Sequence, residues 1–259
     1  MSQTRHYQLL FNSRFYVLLS TLLISLLAIG LLRLQIADDQ LYLIRLQQLF
    51  GLFCLIYWYI ALIISPLGYI IGKQRLRQLE FARRAIGVSA FYFALLHASI
   101  SLWGQIGGVG QIQHLPALFQ WSLIGGSIAL GILGVMAATS FDRVISYMTY
   151  RKWKMLHRLV YISWFLVVLH VWSVGTHLAY TAIQLVGLLA LALLSGLEIY
   201  RIATRLNNKL RLGKAELSGL FLTIWAAALI LILTIPTVVQ NYHSRHADHT
   251  KAGHNEARR

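Results

Sequence analysis

Two histidines at similar depths in two long apolar stretches are the residues that most strongly suggest chemistry. His97 stands thirteen residues after Arg84 and about eight before the end of its stretch, and His170 stands about six before the end of another. Ionisable side chains inside a membrane span are costly and rarely face lipid, so two at one level indicate a shared interior partner. One histidine from each of two helices could supply both axial ligands of a b-type haem. The alternative is that each histidine only hydrogen-bonds a neighbouring helix.

A third histidine, His157, precedes His170 by thirteen residues in the same apolar stretch. That step spans roughly 20 Å along a helix and would suit a second haem below the first. Thirteen residues also set the two imidazoles about 140° apart on an ideal helix, so a kink or tilt would have to reorient one. The facing level of the other stretch holds Arg83 and Arg84 rather than histidine. His157 is therefore either a ligand with an unusual partner or an interface residue that contacts a propionate, a quinone or water.

The composition is that of a polytopic membrane protein. Hydrophobic residues make up 58% of the 259 residues, charged residues only 12%, and the mean hydropathy is +0.63. No hydrophilic stretch exceeds about twenty residues, which is too short for a separate soluble domain. The single cysteine, Cys54, excludes an intramolecular disulfide, a cysteine-ligated zinc site and a thiolate-bound iron–sulfur cluster. Redox chemistry would need other ligands.

Seven apolar stretches reach the roughly twenty residues that a membrane-spanning helix requires. They run from about 15 to 34, 48 to 72, 85 to 105, 119 to 140, 155 to 176, 178 to 200 and 217 to 240. Lys and Arg concentrate in alternate loops, with five in residues 73–84, four in 141–154 and five in 201–214. The positive-inside rule predicts a cytoplasmic N-terminus, and the odd number of spans then puts the C-terminus outside. No small-residue cleavage site follows the first stretch, so an uncleaved signal anchor is expected.

Arginines and glycines near these stretches each have two interpretations. Arg83, Arg84 and Arg158 are topology markers, or their guanidinium groups grip haem propionates or an acidic patch of an electron donor. The GxxxG-like spacing from Gly126 to Gly134 favours close helix packing over ligand binding.

The C-terminal residues are rich in histidine. His243, His246 and His249 are spaced by three, and His254 follows. Imidazoles this close could bind a copper, nickel, zinc or iron ion, which would suit a metal reductase. The alternative is a disordered polar terminus that happens to contain histidines.

Several segments resemble the ferric reductase-like transmembrane domain superfamily, which includes NADPH oxidases and ferric reductases. They are ISPLGYI at the end of the second stretch, ARRAIGVSAFYFALLHASI around His97, and TSFDRVISYMTYRKWKMLHRLVYISWFLVVLHVWS through the fifth stretch. Within the superfamily, the arginine pair before His97 and its single histidine are most similar to the MsrQ (YedZ) haem-binding membrane subunits. NADPH oxidases with two haems have two histidines in that span, and here the second position holds arginine.

The resemblance implies an all-α polytopic transmembrane bundle, with a six-helix ferric reductase-like core and a seventh C-terminal span added to it. Four segments are expected. They are 1–44, the N-terminal cytoplasmic segment, first span and outer loop; 45–200, the haem-binding core; 201–240, a cytoplasmic loop and extra span; and 241–259, the external histidine-rich tail. The protein is expected in the inner membrane.

The resemblance also implies that His97 and His170 are axial ligands of haem b, and that His157 matches the remaining family histidine. One haem is expected, or two if His157 binds a second iron; FMN or quinone as a further cofactor stays open. Because no flavin or nicotinamide domain is found, the expected donor is a cytoplasmic flavin reductase or membrane quinol. The acceptor would be a periplasmic oxidoreductase of the methionine sulfoxide reductase system. A ferric or cupric reductase acting on metal chelates, and a haem-free transporter or assembly factor, are the alternatives.

Overall fold

A computed structural model describes residues 3–72, 74–175 and 181–210. Regular structure in these ranges is entirely helical. The α-helices are α1 (Gln3–Gln35), α2 (Asp39–Ile71), α3 (Arg77–Ser99), α4 (Ala117–Ala138), α5 (Asp142–Tyr147), α6 (Tyr150–Leu156), α7 (Val160–Val174) and α8 (Thr181–Leu210). A π-helical segment, Ile100–Ile106, continues α3, and 3-10 segments occupy Val109–His114 and His157–Leu159.

Six helical segments of the described chain are long and apolar enough to cross a membrane. They are Ser13–Gln35, Asp39–Ile71, Arg77–Ile106, Ala117–Ala138, Tyr150–Val174 and Ala182–Arg205. The prediction of an all-α fold with six core helices is therefore confirmed, because these segments follow the first six predicted stretches in order. The predicted seventh span, at about 217 to 240, and the tail 241–259 lie outside the described residues.

The second helix begins earlier than its apolar stretch. The side chain of Asp38 caps α2 by accepting a hydrogen bond from the backbone N–H of Leu41 at 2.6 Å. Such a cap satisfies one of the N–H groups that a helix start leaves without an intrahelical partner. The first turns of α2 mix apolar residues with polar ones such as Arg45, Gln47 and Gln48, whereas hydropathy marks only the continuously apolar part that follows.

The chain divides into two compact units, Met1–Val167 and Val168–Arg259. In the first unit, α3 packs on both α1 and α2. Phe93 of α3 is completely buried, and its ring centroid lies 5.2 to 5.9 Å from those of Phe50, Phe53 and Tyr57 on α2. Aromatic rings at these separations contribute packing energy beyond the area that they bury. This aromatic cluster therefore fixes the register of α3 against α2.

Hydroxyl groups fix α1 against α3. Thr21 donates to the hydroxyl of Ser89 at 2.7 Å, and the hydroxyls of Ser25 and Tyr92 lie 3.0 Å apart. Thr21, Ser25 and Ser89 are all buried. Interhelical hydrogen bonds of this kind satisfy polar groups in apolar surroundings and hold membrane helices together.

Helix α4 approaches α3 closely at Gly134. A Cβ atom added to Gly134 would lie 3.2 Å from Cε2 of Phe91. The absence of a side chain lets the Phe91 ring lie against the backbone of α4. This contact agrees with the packing role that the spacing of the α4 glycines favours.

Gly134→Val is expected to lower the stability of the bundle by about 1 to 3 kcal/mol, the usual cost of overpacking a filled contact. The branched side chain would have to displace the Phe91 ring. Gly131→Val is the matched control, because nothing lies within 4 Å of a Cβ at that position of the same helix. Thermal unfolding in detergent measures the difference, and equal midpoints for the two variants would contradict the expectation.

Candidate functional site

His97 lies in the last turn of α3 with its ring half-buried against α2. Its Nδ1 atom lies 2.9 Å from the backbone carbonyl oxygen of Gln47. A carbonyl oxygen can only accept a hydrogen bond, so Nδ1 carries the proton and donates it. In the neutral ring, the lone pair then belongs to Nε2. Histidines that bind metals usually have this arrangement, with the second ring nitrogen donating to a carbonyl or carboxylate.

Gly51 allows the imidazole to reach this carbonyl. A Cβ atom at Gly51 would lie 2.8 Å from Nδ1 of His97 and 3.1 Å from Cε1. The carbonyl of Gln47 points along α2 toward residue 51, its hydrogen-bonding partner four residues on. Any side chain at this position would therefore compete with the His97 ring for the space beside the oxygen.

The helical geometry changes directly after His97. The N–H of Ile100 bonds the carbonyls of both His97 and Leu96, and the next residues wind as a π-helix. This wide turn ends at Gly107, whose φ of 82° lies in the left-handed region that glycine adopts without strain. π-Helical turns are rare and are found frequently at functional sites.

His157 lies between α6 and α7, in the 3-10 turn that joins them. Its ring is half-buried, 4.2 Å from the ring of Trp153, and its Nε2 atom lies 3.5 Å from Oγ1 of Thr139. The indole N–H of Trp153 donates to the carbonyl of Thr139 at 3.0 Å. A 3-10 turn winds more tightly than an α-helix, so the ideal α-helical angle between His157 and His170 does not apply to this segment.

Arg84 contacts the same tryptophan from α3. Its guanidinium carbon lies 5.3 Å from the Trp153 ring centroid, and its Nη1 donates to Oδ1 of Asp142 at 2.7 Å. Arg14 of α1 donates to the other oxygen of Asp142 at 2.6 Å. Burial raises the pKa of the Asp142 carboxyl, but the hydrogen bond from Arg14 and the charges of Arg14 and Arg84 together hold this pKa below its ordinary value. These three charged groups join α1, α3 and the start of α5.

Arg83, beside Arg84, is held by α2. Its Nε donates to the backbone carbonyl of Ala61 at 2.7 Å. Both arginines of the pair therefore have protein partners, in addition to any role as topology markers.

His170 lies on α7 and is half-buried. It belongs to the second unit, whereas His97 and His157 belong to the first. The pairing of His97 with His170 at one haem iron stays a prediction. Within residues 3–72, 74–175 and 181–210, no three His, Cys, Asp or Glu side chains cluster as ligands of a metal ion. The histidine-rich tail lies outside these residues.

Residues 16–169 match the family described as ferric reductase like transmembrane component. This match covers more than half of the chain. The chain belongs to the ferric reductase-like transmembrane family. The conclusion agrees with the resemblance of its sequence segments and with its six apolar helices.

Curated relatives of this ferric reductase-like chain include proteins named protein-methionine-sulfoxide reductase heme-binding subunit MsrQ. The one from Polaromonas naphthalenivorans is 34% identical over 112 residues, which are 43% of this chain and 49% of the relative. The one from Deinococcus radiodurans is 32% identical over 131 residues, 50% and 62% of the two chains. The Brucella ovis protein is 31% identical over 122 residues, 45% and 51%. The alignments thus span about half to three fifths of these relatives. No solved structure matches the chain.

The geometry at His97 fits the haem that the ferric reductase-like family implies. With Nδ1 protonated, the lone pair of the neutral ring is on Nε2, the atom that would bind an iron, and Gly51 provides the space in which the ring is held. Neither Gly51 nor the Gln47 carbonyl was predicted from the sequence. Gln47 lies 50 residues from His97, so no local pattern could connect them.

Asp142→Asn is expected to lower stability modestly at neutral pH. The carboxylate is 69% exposed, so each of its two ion pairs contributes only about 0.2 to 1 kcal/mol. Because the folded pKa is depressed, this contribution is present above the ordinary Asp pKa of about 3.9 and is lost as the pH falls through the folded value. Thermal unfolding of wild type and variant should differ at pH 7 and converge in acid.

Asp39→Asn is the control for this prediction. It removes a more exposed pair, in which Arg33 donates to Asp39 at 2.7 Å and the side chains are 52% and 81% exposed. Its effect should be smaller than that of Asp142→Asn. Equal effects, or a difference that persists unchanged in acid, would contradict the role assigned to Asp142.

Proposed function

We propose that this protein is a haem b membrane protein that passes electrons one at a time across the cytoplasmic membrane. The observation that carries the proposal is the hydrogen bond from Nδ1 of His97 to the Gln47 carbonyl, which keeps the imidazole in the tautomer of an iron ligand. Membership in the ferric reductase-like family and the similarity to heme-binding MsrQ subunits support it.

In this proposal, His97 of α3 and His170 of α7 are the residues that would hold the haem iron. Bound haem supplies a one-electron couple between Fe(III) and Fe(II). The chain orients the His97 ring through the Gln47 carbonyl. The buried Phe93 ring lies one turn before His97 on α3.

Arg14, Arg84, Asp142 and Trp153 lie together, and we call this part of the first unit its basic end. His157 is proposed as a further residue of the basic end. Its close ring contact with Trp153 and its contact with Thr139 support an interface role. Ligation of a second haem would require the ring to turn away from these contacts. A single haem is therefore the simpler proposal.

The Lys and Arg residues of the loops favour a cytoplasmic location for the basic end. Electrons would then enter from a cytoplasmic flavin reductase or membrane quinol and leave to an acceptor outside. The relatives' name associates them with a methionine sulfoxide reductase, so an exported oxidoreductase of that kind is the proposed acceptor. The histidine-rich tail from His243 to His254 favours a metal chelate as the second candidate.

His97→Ala and His170→Ala are each expected to abolish haem binding, because each removes an imidazole that would hold the haem iron. His157→Ala should retain the haem. His114→Ala, which removes an exposed histidine of the 3-10 segment Val109–His114, is the matched control. The Soret band and the dithionite-reduced α band of each purified variant measure the haem content. A wild-type protein that lacks both bands after haem-replete expression would favour a haem-free transporter or assembly factor.

The acceptor can be tested by the rate at which the reduced protein is reoxidised. Rapid oxidation by an exported methionine sulfoxide reductase, and slow oxidation by Fe(III) or Cu(II) chelates, is the expected order. Stopped-flow absorbance at the α band follows the reaction. The reverse order of rates would favour the metal reductase.

A further inference from the structure

We infer that Gly51 is a positioning residue for His97: its missing side chain lets the Gln47 backbone carbonyl set the tautomer and the electron-donating strength of this imidazole. The inference rests on the proposed role of His97 as a haem ligand. It identifies the Gln47 carbonyl of α2 as a group that controls how strongly His97 binds iron.

The steric part of the inference follows from two distances. A Cβ atom at Gly51 would lie 2.8 Å from Nδ1 of His97, the atom that lies 2.9 Å from the Gln47 carbonyl oxygen. A methyl group and the donated hydrogen bond therefore cannot occupy this place together without a shift of the ring or of the helices. The aromatic cluster around Phe93, one turn before His97, resists a shift of the helices because its rings already fill the contact between α2 and α3, so the His97 ring is the group that must move.

The electronic part follows from the identity of the acceptor. A backbone carbonyl has two lone pairs, so the Gln47 oxygen can serve both the helix and the imidazole. A side-chain acceptor could rotate away from the imidazole, whereas this backbone oxygen is fixed by the helix. A hydrogen bond donated by the second nitrogen raises the basicity of a ligating imidazole. A more basic imidazole stabilises Fe(III) relative to Fe(II), so this contact holds the haem potential low.

Gly51→Ala tests the inference directly. The added methyl group should break the hydrogen bond and weaken the preference for Fe(III) about tenfold, which corresponds to an upward shift of about 59 mV in the midpoint potential. Spectroelectrochemical titration of the purified, haem-loaded full-length protein measures this shift. Loss of haem from Gly51→Ala alone would also support the inference.

Two control variants separate this effect from general perturbation. Gly87→Ala changes a glycine on the same helix as His97, where nothing lies within 4 Å of the added Cβ, and should leave the potential unchanged. Gln47→Ala removes the side chain but keeps the backbone carbonyl, and should also leave it unchanged. A Gly51→Ala potential equal to that of Gly87→Ala overturns the inference, as does a Gln47→Ala shift as large as that of Gly51→Ala.

A second measurement covers the case in which Gly51→Ala does not accumulate. Nitrogen-15 NMR of wild-type protein labelled at histidine reports which ring nitrogen is protonated, and His97→Gln identifies the resonances of His97. Protonated Nδ1 supports the inference, and protonated Nε2 overturns it. Wild-type protein without haem would overturn the proposed function, while the NMR measurement would still decide the tautomer. Haem-loaded protein with an unshifted Gly51→Ala potential would overturn only the positioning role.

Discussion

An imidazole N–H among apolar helices needs an acceptor from the protein, because the bilayer core offers no water. For His97 this acceptor is the carbonyl of Gln47, a backbone group that already belongs to a helix. The arrangement requires α2 and α3 to lie close together, which the ring contacts of Phe93 provide. It also requires a position without a side chain, which Gly51 provides. One hydrogen bond therefore explains both a glycine and the close packing of two helices.

The two ends of helix α3 lie in different environments. Near its beginning, Arg83 and Arg84 donate to a backbone carbonyl and to Asp142, and Asp142 remains largely exposed. Near its end, His97 has a neutral backbone acceptor in half-buried surroundings. Charged pairs suit a wet helix end, since desolvation of a charge costs several kcal/mol, whereas a neutral imidazole can be placed deeper. The charged residues of α3 thus lie at its exposed beginning, and its neutral imidazole lies at the less exposed end.

The six helices could be predicted because a membrane span is a property of about twenty consecutive residues. His97 could be singled out because an ionisable residue is unusual in such a segment. Other features depend on contacts between distant parts of the chain and have no local pattern. Asp142 meets Arg14 across 128 positions, and Gly51 meets His97 across α2 and α3. The first nine residues of α2 were missed for a different reason: hydropathy marks where lipid begins, whereas a helix begins at its cap, Asp38.

His97 and His157 differ in how firmly their rings are held, and this difference bears on the number of haems. The His97 ring has a 2.9 Å hydrogen bond and lies so close to Gly51 that a Cβ there would be 2.8 Å from its Nδ1. The His157 ring has an aromatic contact with Trp153, a kind of contact usually worth about 0.5 to 1.5 kcal/mol, and a 3.5 Å contact with Thr139. An iron bond could overcome contacts of that size. The stronger objection to a second haem is chemical, since α3 presents Arg84 to the Trp153 ring, and a guanidinium would not bind an iron as the partner of His157.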